Sequence, residues 1–539
     1  MYILDSSQTH SPSSSSHSEC SKIKKPNILF ILADQVSAPL LRIHNGSSPI
    51  ETPNIDALAA RSAVFSSAYC ASPLCAPARS SLVTGQLPTQ IAAWDNASPL
   101  GCDVPTYAHY LRKEGYETVL AGKMHFIGEQ LHGFEERLTT DIYPGDFGWA
   151  VNWDNPDRRL DWYHSASSIL QAGPCVRSNQ LDFDEEVMYT RRPISSRPFC
   201  LTVSLTHPHD PYTIHKKYWD RYEGVDIPHP NVDIPKEEQD PHSERLLRVC
   251  DLWNTHLPGE AVERARRAYF GAMSYVDDNV GKLLEILKEC DMDEDTIVIF
   301  SSDHGDMLGE RGLWYKMSWF EASARVPLLI SYPRLIEPRI IKESVSSIDL
   351  LPTLVELVGA SVDELLPLDG KSLLPYLYGV ENSNTVFGEY AGEGTVAPSM
   401  MIRRGPWKFI TCPADPPQLF NLETDPKELV NLALRPQDVA DRAILAQFVT
   451  EAEERWNFKK IHAEVLRSQR ARRLCWSALT RGTFESWDYQ PRDDAREKYI
   501  RNHIPLEELE LRARYPPVDS MGQERPRGQA KGAAGSSNQ

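Results

Sequence analysis

No stretch of the 539-residue chain holds the run of roughly 18 apolar residues that a membrane span requires, so no membrane association is expected. The N-terminal region has one apolar run, Tyr2 to Leu4, too short for the core of a secretory signal, and the expected location is therefore cytoplasmic. Cysteine is sparse: ten are scattered along the chain without the paired spacing of a disulfide scaffold or a zinc site. Basic residues are outnumbered, 57 Lys and Arg against 75 Asp and Glu, for a net charge of -18. Such a surface repels nucleic acid and weakly favours cationic ligands. No internal repeat is visible. Two glycosylation-type triplets, at Asn45 and Asn96, carry no weight without secretion.

What is present is ordinary globular composition, 41% hydrophobic and 24% charged, over a length that exceeds one core. Apolar strand-like runs alternate with helical patterns. Strands are expected at Asn27 to Leu32, Glu117 to Leu120, Phe199 to Leu205, Thr296 to Phe300 and Val326 to Ile330. Helices are expected at Ile55 to Val64, Tyr107 to Lys113 and, long and amphipathic, Glu263 to Glu289. This alternation predicts an α/β fold with a large, mainly parallel sheet sandwiched by helices. Residues 26–384 are assigned to that domain. Residues 385–440 read as a smaller α+β subdomain of short strands, and 441–516 as a charged helical extension. The Ser-rich residues 1–25 and the tail 517–539 read as disordered.

In open α/β sheets, sites form beyond the carboxyl ends of the strands. Four expected strands run into charged or ligating side chains: Asp34-Gln35, Lys123 and His125, His207 to Asp210, and Asp303-His304. Alone, each is weak; together they mark one site. Asp34 and Asp303 offer carboxylate oxygens, Gln35 a carbonyl oxygen and His304 a nitrogen. That donor set suits Ca²⁺ first, then Mg²⁺ or Mn²⁺, ahead of zinc. Asp306 and Glu310 read as first-turn carboxylates of a following helix rather than ligands. Between Ser72 and Gly85, Pro77 suits a helix first turn and Gly85 a helix end. Cys75 then sits at a helix N-terminus with Arg79 one turn further on, as an activated thiol or a buried structural cysteine.

The segment Cys75-Ala-Pro77-Ala-Arg79 with its trailing Ser-Leu-Val-Thr-Gly85 resembles the signature of the type I sulfatase family. Asp34, Gly-Lys123-Met-His125, Pro-His209-Asp-Pro, Ser-Asp303-His304-Gly-Asp and the late Leu-Phe-Asn-Leu block follow in that family's order across about residues 26 to 515. The stretches Gln130 to Tyr143, Thr206 to Tyr212, Gly305 to Trp314 and Ser468 to Arg473 look closer still to choline sulfatases. The resemblance implies an alkaline-phosphatase-like fold and conversion of Cys75 to formylglycine by a formylglycine-generating or other sulfatase-maturing enzyme. It implies attack by the aldehyde hydrate on sulfur, a covalent sulfated intermediate, and one divalent metal ion. By the same resemblance Asp34, Gln35, Asp303 and His304, with residue 75, hold the metal. Arg79 orients the formylglycine, Lys123 and Lys316 bind sulfate oxygens, His125 acts as base and His209 as acid. His207 competes with His209, whose Pro-His-x-Pro context is the closer match.

The expected substrate is choline-O-sulfate. A quaternary ammonium binds aromatic faces and carboxylates, and the stretch from Tyr143 to Tyr163 is dense in aromatics. Trp149 and Trp162 are assigned to a cage, with Glu393 as a carboxylate partner; Glu389 and Trp487-Asp488-Tyr489 are further candidates. The rivals are a general arylsulfatase, a phosphonate or phosphodiester hydrolase of the same superfamily, and a metal-binding regulatory protein in which Cys75 is never converted. The extension also suggests a homo-oligomer.

Overall fold

A computed structural model describes residues 25–481, except 129, 139–140, 142–146, 157–163, 176–196, 381–384 and 436–438, together with residue 523. Trp162, the Trp487-Asp488-Tyr489 segment and the two terminal regions lie outside the described residues.

The strands of the larger part are β1 (Asn27–Asp34), β2 (Ala63–Tyr69), β3 (Glu117–Gly122), β4 (Glu136–Arg137), β5 (Gly173–Cys175), β6 (Phe199–Pro208), β7 (Thr213–His215), β8 (Thr296–Ser302), β9 (Arg325–Ser331) and β10 (Arg339–Ser346). Eight of them form one sheet in the order β10-β2-β9-β8-β1-β6-β3-β4, while β5 and β7 pair separately. Only β9 runs antiparallel to its neighbours, β2 and β8; the other adjacent pairs in this sheet are parallel. The sheet is thus mainly parallel, as expected. Every residue of β1 is buried, because helices cover both faces of a central parallel strand.

The helices that bear on the site are α1 (Pro53–Ala59), α2 (Cys75–Thr84), α3 (Tyr107–Lys113) and α4 (Gly259–Glu289). Along α4, Tyr269, Met273, Val276, Val280, Leu283 and Leu287 are buried in the main core. The expected helix from Ile55 to Val64 is too long. α1 ends at Ala59, Ser62 bonds back to the Leu58 carbonyl, and Ala63-Val64-Phe65 opens β2 instead. Pairing with β9 and β10 outweighs the helical periodicity there.

A second, antiparallel sheet follows in the order β11 (Thr385–Tyr390), β12 (Ser399–Arg404), β13 (Trp407–Cys412) and β14 (Asp415–Asn421). Helices α5 (Val439–Arg455) and α6 (Phe458–Leu479) share its core. Met400, Ile402, Phe409 and Leu419 from the sheet pack with Phe448, Trp456, Ile461 and Val465, and this cluster also takes in Trp94, Val151 and Trp153. The helical extension is therefore built into the body of the protein.

Because β1, β3, β6 and β8 are parallel neighbours, their carboxyl ends share one edge. A register shift between Ala33 and Asp34 places Asp34 opposite Pro208. At the end of β3, Gly122 has φ +91°, and a Cβ there would lie 1.9 Å from the Ser204 carbonyl oxygen. No side chain fits between β3 and β6 at this point. Gly122→Ala should cost about 3 kcal/mol or more, measured by chemical denaturation; a loss below about 1 kcal/mol would refute the packing argument.

His207 points away from the strand-end edge, fully buried and edge-on to Tyr275 of α4 at 5.1 Å. Burial pushes its pKa down to about 3, with the neighbouring His209 lowering it further. The neutral ring is stable while the unfolded chain is also neutral, above its ordinary value near 6.5. Below that the unfolded state takes up the proton first, so stability falls with pH from 6.5 towards 3. The linkage amounts to about 2 kcal/mol at pH 5. The variant His207→Phe should lose that part of the acid slope in denaturation series at pH 7 and pH 5; an unchanged slope would show that this ring is not its source.

Candidate active site

Cys75 is the first residue of α2 and is almost fully buried. Gly85, with φ +66°, ends the helix as its left-handed cap. The turn beyond Pro73 is pinned by the Met317 N–H, which donates to the Pro73 carbonyl at 2.9 Å. The Asn96 side chain caps the other side, its Oδ1 accepting from the Ala76 N–H at 3.0 Å.

Arg79, fully buried, reaches from α2 to four strand ends. Its Nε donates to Asp303 at 2.7 Å, Nη1 donates to the Lys123 carbonyl at 2.7 Å and to Ser204 Oγ at 2.8 Å, and Nη2 lies 3.4 Å from Asp34. Asp34 is ion-paired with Lys123, whose Nζ also lies 3.6 Å from the Cys75 sulfur. Burial alone would raise the Asp34 pKa, but the Lys123 ammonium outweighs it and holds the carboxyl at about 2. Burial opposes ionisation of the Cys75 thiol too. Lys123, Lys316 and His304 reverse that and bring it well below its ordinary value. The site is built to hold negative charge at position 75.

His304 Nε2 stands 3.1 Å from the Cys75 sulfur, 3.6 Å from Asp303 and 3.8 Å from Asp34. Its Nδ1 donates to the Gly305 carbonyl at 3.0 Å, leaving the Nε2 lone pair towards the carboxylates. Ligating atoms of Asp34, Cys75, Asp303 and His304 all lie within 4.8 Å of one another, and all four residues are buried. Lys123 and Arg79 meet Asp34 at Oδ2, while Oδ1 accepts no hydrogen bond. Two carboxylates with one imidazole nitrogen fit a hard divalent cation.

Gln35 follows Asp34 with φ +69°, its turn held by Tyr269 of α4, whose hydroxyl donates to the Gln35 carbonyl and accepts from the Ser37 N–H. The Gln35 side-chain oxygen accepts from Lys316 at 2.7 Å, so one lone pair is already engaged. Its amide nitrogen donates to Asp306 at 2.7 Å. This corrects the first-turn reading of Asp306. No helix begins at Asp306: the chain beyond β8 is a loop until a single 3-10 turn at Glu310–Gly312. Asp306 is fully buried and accepts from Gln35, Tyr212 and the Leu308 N–H, and burial raises its carboxyl to about 6. Glu310, by contrast, does stand in a helical first turn, that of the 3-10 turn Glu310–Gly312, and its carboxylate accepts from the Asn231 and Val232 N–H groups.

Lys316, fully buried between the positive-φ residues Tyr315 and Met317, also donates to His209 Nε2 at 2.7 Å. His209 Nδ1 in turn donates to the Asp210 carbonyl at 2.6 Å. His209, rather than His207, thus faces Lys316. Asp210 accepts from His164 Nδ1 at 2.8 Å, and the His164 ring stacks on Tyr315 at 4.3 Å. Burial lowers the His164 pKa to about 4 against the pull of Asp210. His125 is buried beside the thiol, with its ring edge-on to Trp149 at 5.3 Å. Glu393 is buried as well. Burial raises its carboxyl to about 8, with Asp95 adding to the rise and Lys316 opposing it. Glu389 does a different job, accepting from the Thr89 N–H and Trp456 Nε1.

Two contributors, Asp141 and His164, escaped the sequence reading, and Asp306 was assigned another role. Asp141 accepts from the N–H groups of Met124, His125 and Phe126 at 3.2 to 3.3 Å, and pairs with Arg137 at 2.8 Å. It shapes the turn that presents Lys123 and His125. His164 and Asp306 support His209 and Gln35 indirectly. Neither Asp141 nor His164 had a local signal beyond lying near residues already singled out.

The fold and this site agree with known proteins. A family profile described as Sulfatase matches residues 26–360, one described as N-sulphoglucosamine sulphohydrolase, C-terminal, matches 309–454, and one described as Choline sulfatase enzyme C terminal matches 463–515. The chain is 47% identical over 507 residues to a choline-sulfatase of Rhizobium meliloti (strain 1021), covering 91% of this chain and 99% of that one. An arylsulfatase of Clostridium perfringens (strain 13 / Type A) is 29% identical over 74% of this chain and 90% of its own. The crystal structure of a phosphonate monoester hydrolase of Agrobacterium radiobacter superposes with a TM-score of 0.64 at 24% identity, over 82% of this chain and 96% of that one. A structure solved with its substrate D-glucosamine-2-N,6-O-disulfate gives 0.64 at 22% identity, over 80% and 98%. At these identities the two structures speak for the alkaline-phosphatase-like fold. By the profile and the identity over most of its length, the chain belongs to the sulfatase family and is a sulfuric ester hydrolase.

Proposed function

We propose that this sulfatase hydrolyses choline-O-sulfate to choline and sulfate. The observation that carries the reading is the meeting of two kinds of group around buried residue 75. Lys123, Lys316 and Arg79 surround it with positive charge. Nearby stand Trp149, edge-on to His125, and Glu393, whose carboxyl burial raises to about 8 and which a quaternary ammonium would draw into its ionised form. The identity to a choline-sulfatase supports the same substrate.

Asp34, Asp303 and His304, with the second lone pair of Gln35, would hold a divalent metal ion, Ca²⁺ being the preferred species for these donors. When bound, the ion neutralises sulfate oxygens and lowers the pKa of the nucleophile. The Cys75 sulfur stands where the aldehyde-hydrate oxygens of formylglycine would be, and that group supplies the nucleophilic hydroxyl. Lys123 and Lys316 bind the sulfate oxygens and meet the charge that develops on them. Arg79 keeps residue 75 and both carboxylates in place. His125, its pKa lowered by burial despite the opposing influence of Cys75, is neutral at pH 7 and ready to accept a proton from residue 75. Across the pocket, the Lys316–His209 pair delivers the proton to the departing choline oxygen. A maturing enzyme is needed to convert Cys75. The cytoplasm remains the proposed location, and no helix of the described residues is long and apolar enough to cross a membrane. A homo-oligomer is the proposed assembly.

Protein co-expressed with a formylglycine-generating enzyme should show the mass of an aldehyde on the Cys75 peptide. It should release sulfate from choline-O-sulfate with a kcat/KM about 100-fold above that for p-nitrophenyl sulfate, or about 2.7 kcal/mol of discrimination. Comparable rates would remove choline from the assignment, and an unmodified thiol in active protein would remove the formylglycine. Asp141→Ala frees three backbone N–H groups and should lower kcat about 10²-fold through misplacement of Lys123 and His125. Steady-state kinetics with kcat unchanged would deny Asp141 that role.

A further inference from the structure

The wall that carries Trp149 has little structure of its own. Between Phe147 and Asn155 the chain forms one short 3-10 turn and then an irregular stretch. Helix α6 holds that stretch residue by residue. The Gln469 side-chain oxygen accepts from the Trp153 N–H at 2.9 Å and Arg473 donates to the Ala150 carbonyl at 3.3 Å, whereas the Arg470–Asp154 pair at 2.7 Å is solvent-exposed and adds little. The Trp153 ring stacks on His462 at 5.0 Å. Gln469, Arg472 and Arg473 share one helix face by their spacing.

At the centre is a buried ion pair. Asp95 is fully buried and Arg472 is 5% exposed. The guanidinium meets both carboxylate oxygens, Nη1 on Oδ1 and Nη2 on Oδ2 at 3.0 Å. Asp95 also accepts from the Ala97 N–H at 3.0 Å, from Ser98 Oγ at 3.3 Å and from the Val151 N–H at 3.2 Å. One carboxylate therefore ties α6 to the wall and to the turn whose next residue, Asn96, caps the Cys75 helix.

We propose that Arg472 is a positioning residue for the substrate pocket, acting through Asp95 on the wall that carries Trp149. This rests on the choline-O-sulfate reading above. The forked geometry matters, because a lysine supplies the charge but only one of the two parallel contacts. Such a residue governs how the leaving group is held and has little influence on sulfate at the far end of the pocket.

The test uses the full chain with residue 75 converted, at a temperature where circular dichroism shows each variant folded. Arg472→Lys leaves Asp95 paired with a cation, and the double variant Asp95→Asn/Arg472→Met removes both charges together. Both should raise the KM for choline-O-sulfate at least about tenfold, while kcat and inhibition by inorganic sulfate stay within about threefold. Arg470→Ala, which breaks only the exposed pair with Asp154, should leave all three within about threefold. An equal loss of kcat and sulfate affinity in the Arg472 variants, or no change in any of them, overturns the proposal. A wild type that turns over p-nitrophenyl sulfate but not choline-O-sulfate brings down the substrate reading and this role with it. A wild type active on choline-O-sulfate with no split in Arg472→Lys overturns the positioning role alone.

Discussion

Asp34 and Asp303 end adjacent parallel strands, so the fold forces two carboxylates together where neither meets solvent. Unbalanced, such a pair would shift its pKa values apart or push the strands apart. Arg79 resolves the conflict from α2. Its guanidinium touches both carboxylates and, through the Lys123 carbonyl and Ser204, also β3 and β6. The helix that opens with Cys75 therefore also carries the side chain that links four strands of the sheet. Removing it would disturb the metal-type cluster, the position of Lys123 and the start of α2 at once.

A second layer of charge follows from the first. With Arg79 committed to the carboxylates, Lys123 and Lys316 remain to face residue 75, and the thiol there is driven towards its anion despite complete burial. The same positive field suits a sulfate group. Lys316 is in turn kept in place by Gln35 and His209, Gln35 by Asp306, and Asp306 by Tyr212. Each buried polar group passes its unsatisfied capacity to the next until the network closes. Asp210 with His164 and Tyr315 closes it on the side of His209.

The small sheet and the extension pack against the segment bearing Trp149 from outside the main sheet. α5 and α6 share their core with β12, β13, Trp94, Val151 and Trp153, so the segment bearing Trp149 is fixed by residues more than 300 positions away. The candidate reaction centre belongs to the parallel sheet, and the segment bearing Trp149 is held by the C-terminal part of the chain.

The sequence by itself determined the strand-end residues. Asp34, Lys123, His125, His209, Asp303 and His304 each follow a strand whose apolar pattern is local, and parallel pairing brings such ends together whatever else surrounds them. The Cys75 helix was legible for the same reason, with Pro77 and Gly85 marking its ends. Tertiary structure alone decided the rest. Ala63 and Val64 left their helical pattern for pairing partners far along the chain. Asp306, placed by its spacing at a helix start, became a buried acceptor because no helix forms there. The contact of His209 with Lys316, and of His207 with Tyr275, depended on how each ring packs beyond β6. Asp95 and Arg472, 377 residues apart, carry no mutual signal in the sequence, because burial and ion pairing across such a separation exist only once both sheets are packed.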